Sequence, residues 1–230
     1  MKTIGLLGGM SWESTATYYR LINEAVKQRL GGFHSAKIIL NSIDFDEIEQ
    51  LQRQGDWAAM ATILANAARS IEAGGADFLL ICTNTMHKVA DEVAQAVSIP
   101  LVHIADATAE RLAQDGIRKV GLLGTRFTME QDFYKSRISD RYGIDVVIPG
   151  DRQRQLVHDV IYNELCMGSI NQASREDFIA IIDELGGNGA EAVILGCTEI
   201  AMLVEQQHTT IPLYDTTAIH AERAVDCAFN

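Results

Sequence analysis

Asp77 to His87 reads DFLLICTNTMH: an acid, four apolar residues in a row, then a small polar cluster. Phe78 to Ile81 fits a strand buried on both faces of a parallel sheet, because a half-exposed antiparallel strand would alternate apolar with polar. Cys82, Thr83, Asn84 and Thr85 then stand at its carboxyl end, where open α/β sheets bind ligands. The following segment, Thr85 to Ala96, reads as a helix with Val89, Val93 and Val97 on one face. That puts Thr83 to Thr85 at a helix N-terminus, where free N–H groups and the dipole favour negative charge. His87 falls in its first turn, where it either assists a site or bonds a carbonyl or carboxylate.

The pattern returns once. Glu191 to Ile200, EAVILGCTEI, is again an acid, an apolar run and a cysteine-threonine turn, and aligning the runs carries Thr83 onto Cys197, 114 positions later. Ile4 to Gly8 (IGLLG) recurs as Val120 to Gly124 (VGLLG), shifted by 116, and Ile99-Pro100-Leu101 recurs as Ile211-Pro212-Leu213, shifted by 112. Three matches in one order at nearly one spacing predict two related α/β halves facing each other, each giving one strand end to a shared cleft. The expected division is residues 1–98 with 209–230, and residues 99–208.

Between these landmarks the chain reads as alternating strands and helices. Thr3 to Leu7 is a strand, Gly8-Gly9 allows a tight turn, and Ser11 or Ser14 caps a helix from about Thr15 to Leu30. Ala36 to Ile43 is the second strand, Asp44 to Asp56 a polar loop with a short helix, and Trp57 to Ala73 a long helix. Ser98 to His103 reads as a strand and Asp106 to Gly116 as a helix. The second half starts at Lys119 to Leu123, with Gly124-Thr125 corresponding to Gly8-Gly9. Its helices are expected at 132–142, 151–165 and 175–185, with a short strand at 145–148 and the second cleft strand at 192–195. Ile211 to Tyr214 and the helix Thr217 to Phe229 are expected to return to the first half.

Composition excludes several function classes. The chain has 230 residues, 47% of them hydrophobic, with no apolar run approaching 18 residues, so no membrane span is expected. The apolar part of the N-terminus is too short for a signal peptide, and a cytoplasmic location is the default expectation. A formal charge of −12 argues against nucleic-acid binding, which needs a basic face. Cys82, Cys166, Cys197 and Cys227 are widely spaced, without a C-x-x-C or a nearby histidine pairing, which argues against a disulfide framework or a metal site. The glycines at 5, 8 and 9 form no G-x-G-x-x-G and nothing supplies a Walker lysine, so no nucleotide site is expected.

GGMSWEST at Gly8 to Thr15, NTMH at Asn84 to His87 and GCTEI at Gly196 to Ile200 resemble the aspartate/glutamate racemase family over the whole chain. The resemblance implies an isomerase with two pseudo-symmetric Rossmann-like subdomains and its active site in the cleft between them. It implies no cofactor and an acidic amino acid as substrate; a homodimer is expected, though the sequence does not settle assembly. Family members resembling this chain use two cysteines on opposite faces of the α-carbon, one directly before Asn-Thr and one in GCT. Cys197 keeps the second. The first position holds Thr83, with Cys82 displaced one residue upstream. The resemblance also points to Met10, Gln52, Asn84, Thr85, Thr125, Thr198 and Glu199 as substrate contacts. Thr125 could equally be an N-cap, Gln52 could sit on a solvated helix, and Glu199 could bind the substrate ammonium or begin a helix.

Direct proton transfer through a carbanion-like state suits such a site, since there is no evident lysine motif for a pyridoxal Schiff base and no metal cluster in the sequence. A thiolate is basic enough, and a turn at a helix N-terminus helps ionise Cys197. Cys166 and Cys227 lie in helix patterns and read as small core residues. Thr83 is no equivalent base. A thiol titrates near about 8.5, whereas an aliphatic hydroxyl resembles water and titrates far higher, a gap worth roughly 9 to 10 kcal/mol. The resemblance implies that the second-half cysteine faces the L enantiomer, so the expectation is Cys197 as base on the L face, with Thr83 at most relaying a proton and the L enantiomer favoured. A register shift presenting Cys82 instead is the rival. Hydantoin racemase, maleate isomerase or decarboxylase-like activity, or a non-catalytic amino-acid-binding protein, are the alternatives.

Overall fold

The apolar runs Phe78–Ile81 and Ala192–Gly196 are each a fully buried strand of a parallel sheet in the computed structural model, which describes residues 1–230. The residues cluster into two units, one comprising Met1–Ile104 with His220–Asn230 and the other Ala105–Ile219.

In the first unit, β1 (Ile4–Gly8) is the centre of a three-stranded sheet, flanked by β2 (Ile38–Ser42) and β3 (Phe78–Ile81), all parallel. β1 and β3 are buried along their whole length, which is why their sequences show no polar alternation. The alternation appears instead between two apolar layers. Ile4, Leu6, Phe78, Leu80 and Cys82 pack with Tyr18, Ile22 and Val26 of α1 (Trp12–Leu30) and with Ala221, Ala224 and Val225 of α11 (Thr216–Phe229). Leu7, Leu79 and Ile81 pack on the other face with Met60, Leu64, Ala68 and Ile71 of α3 (Trp57–Ala73), and with Ile48 of α2 (Phe45–Gln54). Each large side chain so buried stabilises the unit by about 1.5 to 3 kcal/mol.

The second unit repeats the plan. β4 (Lys119–Gly124) lies between β5 (Asp145–Val147) and β6 (Ala192–Gly196), and β7 (Leu213–Asp215) pairs with the outer side of β6. Residue pairing makes the repeat quantitative. Leu7 pairs with Ile81 as Leu123 pairs with Leu195, and Leu79 bridges Leu101 as Val193 pairs with Leu213. The shifts of 116, 114 and 112 read from sequence are therefore the same shifts that relate the two sheets. Helix packing repeats as well: Gly5 and Gly121 occupy matching positions, and a Cβ there would come within 2.5 Å of Ile71 Cγ2 or 2.9 Å of Leu185 Cδ1. Leu185 belongs to α9 (Gln172–Gly187), the second unit's counterpart of α3.

Several expected elements differ. The strand expected over Ser98 to His103 is reduced to the single bridge at Leu101. Leu213 belongs to the second sheet and not to the first half, as the parallel with Leu101 requires. The chain accordingly passes between units at Ile104/Ala105, where α5 (Ile104–Gln114) begins, and within α11 at Ile219/His220, rather than near residues 99 and 209. The helix expected from Thr85 to Ala96 is a 3-10 turn, Thr85–Val89, leading into α4 (Ala90–Gln95). The helices expected at 132–142 and 151–165 are α7 (Asp132–Tyr142) and α8 (Asp151–Asn163). No helix is long and apolar enough to cross a membrane.

Candidate active site

The carboxyl ends of β1 and β3 collect five of the expected site residues in the first unit. Gly9, at φ 91°, makes the turn after β1; a Cβ there would lie 2.1 Å from Ile43 O, so only glycine fits. Its N–H donates to Thr15 Oγ1 at 2.8 Å, and Ser11 caps α1, settling the choice between Ser11 and Ser14. Met10 and Met86 are buried in the layer that also holds Ile48, and Gln52 Nε2 donates to Met86 Sδ at 3.3 Å. Gln52 is thus tied to the turn after β3 and does not belong to a solvated helix face. Asn84 and Thr85 are buried on the same turn, while Thr83 is partly exposed.

Two side chains pin that turn. Ser14 Oγ donates to Cys82 O at 3.0 Å, and His87 Nδ1 lies 2.8 Å from Thr83 O. Cys82 itself has no exposed surface and lies among Ile4, Leu6, Tyr18 and Leu80, where burial pushes its thiol up out of the ordinary range. Strand alternation sends its sulfur to the α1 and α11 layer, so the register shift that would present Cys82 in place of Thr83 does not occur.

The second unit collects the other four. Gly124 at the end of β4 pairs with Gly196 at the end of β6, so Thr125 and Cys197 follow adjacent strand ends. Thr125 is the N-cap of α6 (Arg126–Glu130), its Oγ1 accepting from Thr128 N–H at 3.4 Å. Thr198 and Glu199 are buried, and Thr217 Oγ1 donates to Thr198 Oγ1 at 3.1 Å. Thr216 Oγ1 donates to Leu195 O at 2.9 Å, holding the end of β6. Ser14 was singled out from sequence only as a possible cap, and Thr216 and Thr217 were given no place at the site; the doublet at 216–217 looks like an ordinary helix start, and only the strand pairing brings it to Cys197's turn.

Cys197 is partly exposed, and its sulfur donates to Glu199 Oε2 at 2.9 Å. Burial first, then the negative charge of Glu199, push this thiol well above its ordinary value. This corrects the expectation of a cysteine ionised by its turn. The turn contributes only a four-residue helix, α10 (Ile200–Leu203), and burial together with the carboxylate two residues on favours the neutral thiol.

No group of three or more His, Cys, Asp or Glu side chains is arranged to hold a metal ion.

The profile described as Asp/Glu/hydantoin racemase matches residues 7–224. This chain belongs to that family. It is similar to the broad specificity amino-acid racemase RacX of Bacillus subtilis (strain 168), at 24% identity over 96% of each chain. Among solved structures it superposes on a Yersinia pestis protein assigned provisionally as an Asp/Glu racemase, with TM-score 0.94 and 54% identity over all of both chains. It likewise matches an aspartate racemase homologue from Pyrococcus horikoshii OT3, with TM-score 0.87 and 34% identity over all of both chains. The family is one of isomerases, and the expected enzyme class and two-sheet fold stand with it.

Proposed function

We propose that this protein racemises aspartate, glutamate or both without a cofactor, with Cys197 as the base on the L face of the α-carbon and Thr83 where relatives place a second cysteine. The observation that carries the reading is the contrast between two sulfurs. Cys197 follows a sheet's carboxyl end beside a carboxylate that can take a substrate ammonium, whereas Cys82 is sealed in the core.

On binding, the ammonium turns the Glu199 carboxylate away from the sulfur, and the thiol proton leaves to solvent. The thiolate takes the α-proton, giving a neutral thiol and a carbanion held by fixed hydrogen-bond donors. A proton then reaches the opposite face from the Thr83 hydroxyl, which water replenishes, while Cys197 returns its own proton to solvent. Met10, Gln52, Asn84 and Thr85 from one unit, and Thr125, Thr198 and Glu199 from the other, hold the two carboxylates and the ammonium. Within this reading the protein works in the cytoplasm as a homodimer.

Equal free energies of the two enantiomers require equal kcat/KM in the two directions, so preference for L appears in kcat and KM separately. A wider range of side chains is the second reading, favoured by the similarity to a relative named for broad specificity. The test is racemisation and binding of a panel of L-amino acids by the native protein and by Cys197→Ser. Loss of turnover with binding retained supports catalysis by Cys197; binding without turnover in both proteins favours an amino-acid-binding protein.

A further inference from the structure

The turn that carries Thr83 is completed by a side chain where a helix would use backbone. In an α-helix the carbonyl of residue 83 would accept from the N–H of residue 87. Here His87 N–H donates to Asn84 O at 3.1 Å, the 3-10 pattern, and Thr83 O is instead met by the same residue's ring, with Nδ1 at 2.8 Å. The other ring nitrogen fixes the tautomer. Ile104 N–H donates to His87 Nε2 at 3.2 Å, and a backbone amide can only donate. Nε2 is therefore the acceptor, and Nδ1 carries the hydrogen given to Thr83 O.

The ring is closely held. His87 is 3% exposed and packs edge-on against His103 at 4.4 Å between centroids. His220 is the next neighbour, 5.9 Å away, itself fixed between Tyr18 Oη and Val102 O at 2.8 Å each. The second unit has no such device: residue 201, in the position corresponding to 87, is alanine, and Cys197 O accepts from Ile200 N–H.

We propose that His87 is a positioning residue for Thr83: by giving its Nδ1 hydrogen to the Thr83 carbonyl it keeps residue 83 out of the following helix and aims its hydroxyl for the Thr83-side proton transfer. This rests on the racemase reading. A hydroxyl is a weak proton relay whose usefulness depends on a placement good to a fraction of an ångström. A reactive thiol tolerates looser support, which is consistent with the imidazole standing on the threonine side alone.

Two conservative variants separate the ring's two bonds. His87→Asn places an amide N–H where Nδ1 stands, keeping the donor to Thr83 O and losing the acceptor for Ile104. His87→Gln places its amide near Nε2, keeping the Ile104 bond and losing the other. Each is assayed in deuterated water with L-aspartate and L-glutamate for α-hydrogen exchange, which needs only the Cys197 face, and for inversion to D, which also needs Thr83. His87→Gln is expected to lower inversion per exchange event at least about tenfold, with exchange itself within about twofold; His87→Asn restores inversion to within about threefold of native. In a Thr83→Ala background, His87→Gln is expected to add no further loss. Retained exchange doubles as proof that the variants fold. Equal loss of exchange and inversion, equal damage from Asn and Gln, or additivity with Thr83→Ala would each overturn the proposal alone. Native protein that exchanges no α-hydrogen from either L substrate overturns the racemase reading and this proposal with it.

Discussion

Cys197 and Glu199 are joined by a hydrogen bond of 2.9 Å from thiol to carboxylate, so the residue read as the base rests protonated in the free protein. Glu199→Gln removes the charge but leaves the burial, which is the larger cause of the raised thiol. The expected outcome is faster alkylation of Cys197 by iodoacetamide in the free variant at a fixed pH near 8, by about tenfold for each unit that its titration falls. Peptide-resolved mass spectrometry separates Cys197 from the other cysteines. Turnover should fall in the same variant, because the ammonium loses its counter-charge. An unchanged or slower alkylation rate would contradict the assigned role of the carboxylate.

Cys82 offers the opposite expectation. With no exposed surface and apolar neighbours on the α1 face, it is a packing residue. Cys82→Ala should leave racemisation within about twofold and cost about 1 to 2 kcal/mol in urea unfolding. A loss of turnover comparable to that of Cys197→Ser would make it catalytic after all.

The glycines at the centre of the two sheets should behave as a matched pair of unequal severity. At Gly5 a methyl would meet Ile71 Cγ2 at 2.5 Å and the backbone oxygen of Phe78 at 2.8 Å; at Gly121 the nearest contacts, 2.9 and 3.0 Å, are both ends of side chains that can move. Gly5→Ala is expected to destabilise by about 1 to 3 kcal/mol or more, and Gly121→Ala by less, with thermal unfolding as the measure. The reverse order would show that the first sheet yields more readily than its contacts imply.

Acid stability should depend on His220. Burial pushes its imidazole down to about 4, against an ordinary value near 6.5 in an unfolded chain. Above about pH 6.5 the ring is neutral in both states and folding carries no penalty. As pH falls from there to about 4, the unfolded chain takes up the proton first, and roughly 3 kcal/mol of stability is lost. His220→Gln, which keeps a donor for Val102 O, should lower stability at neutral pH but flatten the slope between pH 6.5 and 4 by up to one proton. An unaltered slope would place the acid-sensitive group elsewhere.

Much of this architecture was legible in sequence because strands buried on both faces leave a strong signature: Phe78–Ile81 and Ala192–Gly196 are unbroken apolar runs, and their partners repeat at shifts of 116 and 112. The same repeat contained the placement of Leu213, which the expected chain crossing near 209 overrode; only the observed pairing with Val193 makes the parallel with Leu101 compelling. Candidate site residues could be named from sequence, but their state could not be read there. Cys197 was identifiable from Gly-Cys-Thr, yet whether a carboxylate two residues away repels a thiolate or holds a thiol depends on burial, which a sequence does not display. Nor could spacing reveal that His87 replaces its own backbone N–H at Thr83 O.

Catalysis by Cys197 is tested by following α-hydrogen exchange into deuterated water from pure L- and pure D-aspartate and glutamate, with the native protein and with Cys197→Ser. Rapid exchange is expected from the L enantiomers and slower exchange from the D enantiomers, with the L exchange lost in the variant. Rapid exchange from D alone, or exchange undiminished without the Cys197 sulfur, would contradict it.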